Sequence, residues 1–411
     1  MRSIVHTLRI LVASAFAAVL AVSCVYPFEA KVEGGGGIIS IEGDILAGDW
    51  TVVLVTGSQT LTTPDLPPLI DASVYVESRN GQRKYAVKVE AGTGDYAEQA
   101  YYLIDTRKLD VSQQCRLVVV VNGSTYACDW QDILHTSQVD SLSYQISDNR
   151  EWMDICVSAH GDADGGYYRW IGREIYEYKA DFQATVYFNP ATDSVTYFAD
   201  GANFYYCWLR RSAPEIMTAS TLQMEQDRLV DYPVMSINCR DERISYYYKI
   251  SLIQESISED AWRYWNNIAR NSSEVGGLFS PQPSEIRGNI HNLQDTTEYV
   301  IGYISASQVS EARIMIPNHA TQFYVAPEGF PEVPKLVRRN EWNKYYHELD
   351  WWPYRMYFPP DPDGGEEPDP SEEPDDGSGV AEYTWLPHRC VDCRSKGGTK
   401  RKPADWPTID I

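Results

Sequence analysis

From Val32 to about Thr125, apolar and polar positions alternate in short runs divided by turn residues. The segments IISIEGDI, WTVVLVTG, ASVYVES, RKYAVKVE and CRLVVVV are β-branched and follow period two or run continuously apolar, which is the pattern of sandwich strands. From Gln138 to Ile316 the runs lengthen and become aromatic: LSYQIS, WMDICVSA, YYRWIGREIYEY, ATVYFN, NFYYCWLR, SYYYKISLI, YVIGYISA and RIMIP all read as strands. One segment breaks the pattern. SISEDAWRYWNNIARN puts Trp262, Trp265 and Ile268 at helical spacing, and Ser256 with Glu259 suits a capping box. The pattern predicts an amphipathic helix near 258–270, packed on a sheet by its Trp262/Trp265/Ile268 face.

The expected architecture is mainly β. An N-terminal immunoglobulin- or transthyretin-like β-sandwich spans 38–137, and a larger antiparallel β domain with the one helix spans 138–358. Residues 359–379 (PPDPDGGEEPDPSEEPDDGSG) hold nine acids and no base, so they read as a solvated Pro/Gly linker. The tail 380–411 regains aromatics and cysteines and is expected to dock back on the body.

The first residues change the picture more than any strand. MRSIVHTLRILVASAFAAVLAVSC has a short basic head and a 13-residue apolar run, Ile10–Val22, which is too short to span a bilayer. Residues 1–23 read as a signal peptide. Ala21-Val22-Ser23-Cys24 resembles a lipobox, so Cys24 is the expected lipidation site, with 24–37 as anchor and flexible tether. An ordinary secretory signal that happens to precede Cys24 is the alternative.

Charge and cysteines narrow the chemistry. With 58 acids against 35 bases the net charge is −23, which argues against nucleic-acid binding. Export permits disulfides, and the seven cysteines after Cys24 leave at least one unpaired. Cys390-x-x-Cys393 favours a structural bridge, within the motif or to Cys207 or Cys239. Cys115 and Cys128 flank an Asn122-Gly123 hairpin turn that sets Cys128 opposite Leu117, so their pairing needs a bulge. Zinc would need a further ligand beside His388 and the two cysteines, and Gly161–Gly166 lacks the terminal Glu of a calcium loop. No metal or cofactor is expected. Pairs such as Glu174 with Glu177 or Glu348 with Asp350 leave a glycan-hydrolase reading open, but no nucleophile-elbow, zincin or P-loop motif is present. Trp342, Trp351 and Trp352 sit in a less regular segment and are candidate contact aromatics.

Taken in order, SAPEIMTAST, YYYKISLIQESISEDAWRYWNNI, GGLFSPQPSEIRGNI, YVIGYISAS, CVDC and KPADW resemble the Bacteroidetes lipoprotein family known as domain of unknown function 4249. The resemblance implies an outer-membrane lipoprotein whose gene commonly lies beside a TonB-dependent receptor. It carries over no catalytic residue and names no ligand. The expected role is therefore a non-enzymatic accessory or ligand-capture partner of such a transporter, with surface adhesion or assembly as the rival.

Overall fold

The computed structural model describes residues 38–57, 67–91, 99–161, 166–199, 203–222, 224, 227–273, 287–317, 335–354 and 382–407. The segments expected to be signal peptide and tether, with Cys24, Asp162–Asp164 and the acidic stretch 359–379, lie outside them.

Nine strands form the first block: β1 (Ile39–Gly43), β2 (Ile45–Ala47), β3 (Trp50–Gly57), β4 (Ser73–Ser78), β5 (Arg83–Tyr85), β6 (Val87–Val89), β7 (Tyr101–Asp105), β8 (Cys115–Val121) and β9 (Ser124–Cys128). Next come β10 (Val139–Ile146), β11 (Trp152–His160), β12 (Tyr167–Lys179), β13 (Val186–Asn189), β14 (Ser194–Tyr197), β15 (Tyr206–Ser212), β16 (Met217–Ser220), β17 (Arg228–Asn238) and β18 (Tyr248–Ser256). Helix α1 (Glu259–Ser273) follows, then β19 (Ile290–Asn292) and β20 (Ala306–Ile316). The last described elements are β21 (Lys335–Arg338), α2 (Trp342–Glu348), β22 (Trp351–Tyr354), β23 (Glu382–Pro387) and α3 (His388–Val391). The fold is mainly β.

Sheets β1-β3-β7-β6 and β19-β9-β8-β4-β5 face each other across an aliphatic core that includes Ile41, Val53, Val55, Val76, Leu117 and Val119. Alternation in β3 buries Thr51, Val53 and Val55 and half-exposes Trp50, Val52 and Leu54. This sandwich is completed from far downstream. β19 pairs with β9, and Val300 and Ile304 enter the core, although sequence reading assigned both segments to the second block. The returning chain runs close beside β1, where Ile41 N donates to Ile301 O at 2.9 Å. Only glycine fits there: Gly302 has φ +137°, and a Cβ would stand 2.0 Å from Ile41 O. That conformation also ends the strand expected over YVIGYISA. Ile301 makes a single bridge, and the ladder begins at Ala306.

The second body packs β10-β11-β17 against β15-β12-β18-β20-β2, with β16 pairing β12 beside β15. Their shared core holds Met153, Ile155, Trp170, Tyr178, Leu252 and Ile237. β2 joins β20 in parallel, Ile45 opposite Ala306, so the two bodies share a strand ladder. The described residues from Ile38 onward belong to one compact unit.

Helix α1 starts after Ser258, whose Oγ accepts from Ala261 N at 3.2 Å, so Ser258 and not Ser256 is the cap. Ser256 is instead the last residue of β18, fully buried, with its N–H bonded to Thr136 Oγ1. The helix buries Ala261 and Tyr264, leaving Trp262, Trp265 and Ile268 half-buried on the flanks. In the tail, β23 lies between β21 and β22 around Trp385, which is fully buried. Thr399 then exchanges two backbone hydrogen bonds of 2.9 Å with Trp208 and covers the free edge of β15.

Candidate ligand groove

Successive residues of a strand point to opposite faces. Along β12, Tyr168, Trp170, Tyr176 and Tyr178 enter the core, so Arg169, Ile171, Arg173 and Ile175 take the outer face. Register then builds rows across that face. Arg210 of β15 stands beside Ile175 and Lys249, and Ser212 stands beside Arg173, Ser251 and Arg313. At the other end of the face, Arg169 stands beside Glu255 and Val309.

Opposite this face stand Trp50 and Val52 of β3 with Tyr101 and Leu103 of β7. The space between is a groove of two adjoining cavities, about 350 and 310 Å³, which share Trp50, Val52, Tyr101 and Arg173. The first extends over Asp44, Arg169, Glu215 and Trp265. The second extends over Arg210, Arg211, Lys249, Glu311 and Arg313.

The Arg169 end is closed by ion pairs. Arg169 Nη1 donates to Asp44 Oδ2 and, at 3.0 Å, to Glu255 Oε1, while the guanidinium stacks on the Trp265 ring 3.9 Å away. Both carboxylates are buried, and Asp44 Oδ1 also accepts from Ser305 N at 2.9 Å. Burial raises the proton affinity of Asp44 despite Arg169. Burial and then the charge of Asp44 do the same to Glu255. One cation cannot neutralise two desolvated carboxylates, so the pair favours keeping a proton. Glu255 Oε2 has no hydrogen-bond partner among the described residues, consistent with a neutral acid there.

On the core face of β12, Glu174 is held as firmly. It accepts from Tyr248 Oη at 2.7 Å, Arg243 Nη1 at 3.0 Å and Arg211 Nε at 2.9 Å. The Arg210 end differs. Arg313 is bidentate to its neighbour Glu311, at 2.8 and 2.7 Å, and Lys249 bonds Asp405. Arg173 approaches Asp49 at 3.4 Å. Arg210 makes no ion pair with any described residue.

The residues singled out from sequence lie elsewhere. Cys207 of β15 is bonded to Cys393, which brings two of the candidates together. Cys239, Cys115, Cys128 and Cys156 are buried free thiols among the described residues, and Cys390 is buried outside this bridge. Cys115 and Cys128 do not pair, because the hairpin keeps its two-residue register and Cys128 Sγ accepts from Leu117 N at 3.2 Å. Burial pushes both thiols up to about 12. Trp342 and Trp351 are not contact residues: both are buried with Phe188, Tyr383 and Trp385 in an aromatic core. Trp352 is half-buried and stacks on His388 at 4.1 Å. His388 Nε2 is engaged with Asp392 at 2.8 Å. Burial opposes ionisation of Asp392, but hydrogen bonds from His388 and Arg394 hold it at about 2. Glu174 and Glu177 fall on opposite faces of β12, and Glu177 accepts from Trp406 Nε1 at 2.8 Å, so they cannot flank one bond. Sequence reading missed Asp44, Arg169, Arg173, Arg210 and Glu255. The available signal was a pair of cations, Arg169 and Arg173, four residues apart on the face of β12 opposite its core aromatics.

Fold and groove together define a mainly β protein of two packed sandwiches with an ion-lined groove between them. A family model, Domain of unknown function (DUF4249), matches residues 25–313, more than half of the chain, and the protein belongs to that family. No curated protein gives a significant match.

Proposed function

We propose that the protein is a lipid-anchored component of the outer membrane that captures a small ligand and delivers it to a TonB-dependent transporter, without chemistry of its own. The observation that carries this reading is the groove, walled by Trp50, Val52 and Leu103 on one side and by a charged sheet face on the other. The buried carboxylates beside it, Asp44 and Glu174, are locked by arginines, which suits a rigid binding wall better than proton transfer. The signal sequence ending at Cys24 supports an anchor on the membrane, and the family resemblance supports the partner. Affinity purification from native membranes tests it: a β-barrel receptor should co-purify with the wild-type lipoprotein. Recovery of the intact lipoprotein with no receptor would overturn the transport role. Cys24→Ala should abolish palmitate labelling, and unchanged labelling would refute the anchor.

A further inference from the structure

We infer that the Arg210 end of the groove binds a small organic anion, a carboxylate or phosphate ester carrying an apolar or ring-shaped body. The inference deepens the ligand-capture reading and rests on it for what becomes of the ligand. In a chain of net charge −23, Arg173, Arg210, Lys249 and Arg313 line this cavity from the outer face against Glu311, with Arg211 and Glu174 at its core-side margin. Both acids are committed. Glu311 is bidentate to Arg313, and Glu174 shares its charge between Arg211 and the underlying Arg243. Asp405 and Asp49 partly offset Lys249 and Arg173.

No described residue offsets Arg210. It is half-buried, two strands from Lys249 with Ile175 between them, and Arg173 lies in the next row of the same face. Arg210 and Lys249 stand two strand spacings of roughly 4.8 Å apart, a gap their long side chains span, so these heads come within reach of one anionic group. Low-dielectric walls focus their field into the cleft. The planar guanidinium fork matches carboxylate and phosphate oxygens alike. Ile175, Leu103, Val52 and the Trp50 ring supply the apolar surface for the rest of the molecule. A cavity of about 310 Å³ suits one or two rings, not a polymer.

The test titrates the mature lipoprotein in nanodiscs calorimetrically with 1-naphthyl phosphate, 2-naphthoate and the neutral 2-naphthalenemethanol, against empty nanodiscs. At least one anion should bind at a single site tenfold or more tighter than the alcohol, and the tighter anion identifies the head group. Arg210→Met should weaken that binding at least tenfold, as should Arg173→Met. If Arg173→Met fails to fold, Arg210→Met decides alone, because that side chain holds no ion pair with any described residue. Equal binding of the alcohol, or unchanged binding in Arg210→Met, overturns the inference. A receptor recovered from membranes without anion binding would sink this inference and spare the transport role. Anion binding without a receptor would do the reverse.

Discussion

Arg169 and Arg210 lie on the same outer face of one sheet, three rows apart, yet they do opposite things. Arg169 is committed to two buried carboxylates and capped by an indole. Arg210 faces open space among other cations. Both are expensive to desolvate, so each local environment must explain its guanidinium. For Arg169 the explanation lies within the fold: Asp44 sits at the turn from β1 to β2, Glu255 on β18 and Arg169 on β12, so the cluster clamps the first sandwich to the second body. For Arg210 no described residue supplies one, and the anion inferred above does.

The comparison breaks first at Arg169. Arg169→Met strands two buried carboxylates and should cost about 3–5 kcal/mol in urea unfolding. A loss below about 1 kcal/mol would put Arg169 in the same dispensable class as Arg210.

Next in size is the Cys207–Cys393 bridge, which pins β15, the edge strand that carries Arg210, to the tail. Replacing both cysteines by alanine should cost about 2–4 kcal/mol. Amide exchange should then rise in β15 more than in β18, and equal protection of the two strands would show that the bridge is idle.

A smaller effect separates the ends by pH. The folded protein raises the proton affinity of Asp44 and Glu255 above that of the unfolded chain, so their contribution is fully present in acid. It is lost as pH rises, between about pH 5 and 8. Burial raises Glu177 as well, and it adds a slope of the same sign. Melting temperature should therefore fall over this interval, and Glu255→Gln should flatten the fall. A steeper decline in the variant would contradict the shared proton.

Smallest of all, Arg210→Met should change stability by no more than about 0.5 kcal/mol, because no bond to a described residue is lost.

The strands were legible because alternation is local: WTVVLVTG matches β3 residue for residue, and the long run at 167–178 is β12 but for its last residue. The groove was not legible, because its members meet by register. Asp44 and Arg169 are 125 residues apart, and Arg210 meets Ile175 only through antiparallel pairing. Counting along the sequence misled where the pleat decides, as with Glu174 and Glu177. Trp342 and Trp351 misled for another reason. An irregular segment looked exposed, but the partners that bury it, Phe188 and Trp385, come from β13 and from beyond the acidic stretch.

The account turns on whether Arg210 serves a ligand and not the fold, and thermal unfolding with and without 1-naphthyl phosphate tests this directly. An anion that binds the folded state raises the melting temperature of the protein. Wild type should melt higher with the anion. Arg210→Met should melt with wild type in its absence and gain nothing when it is added. An equal rise in both proteins, or an Arg210→Met variant already destabilised without the anion, would contradict the account.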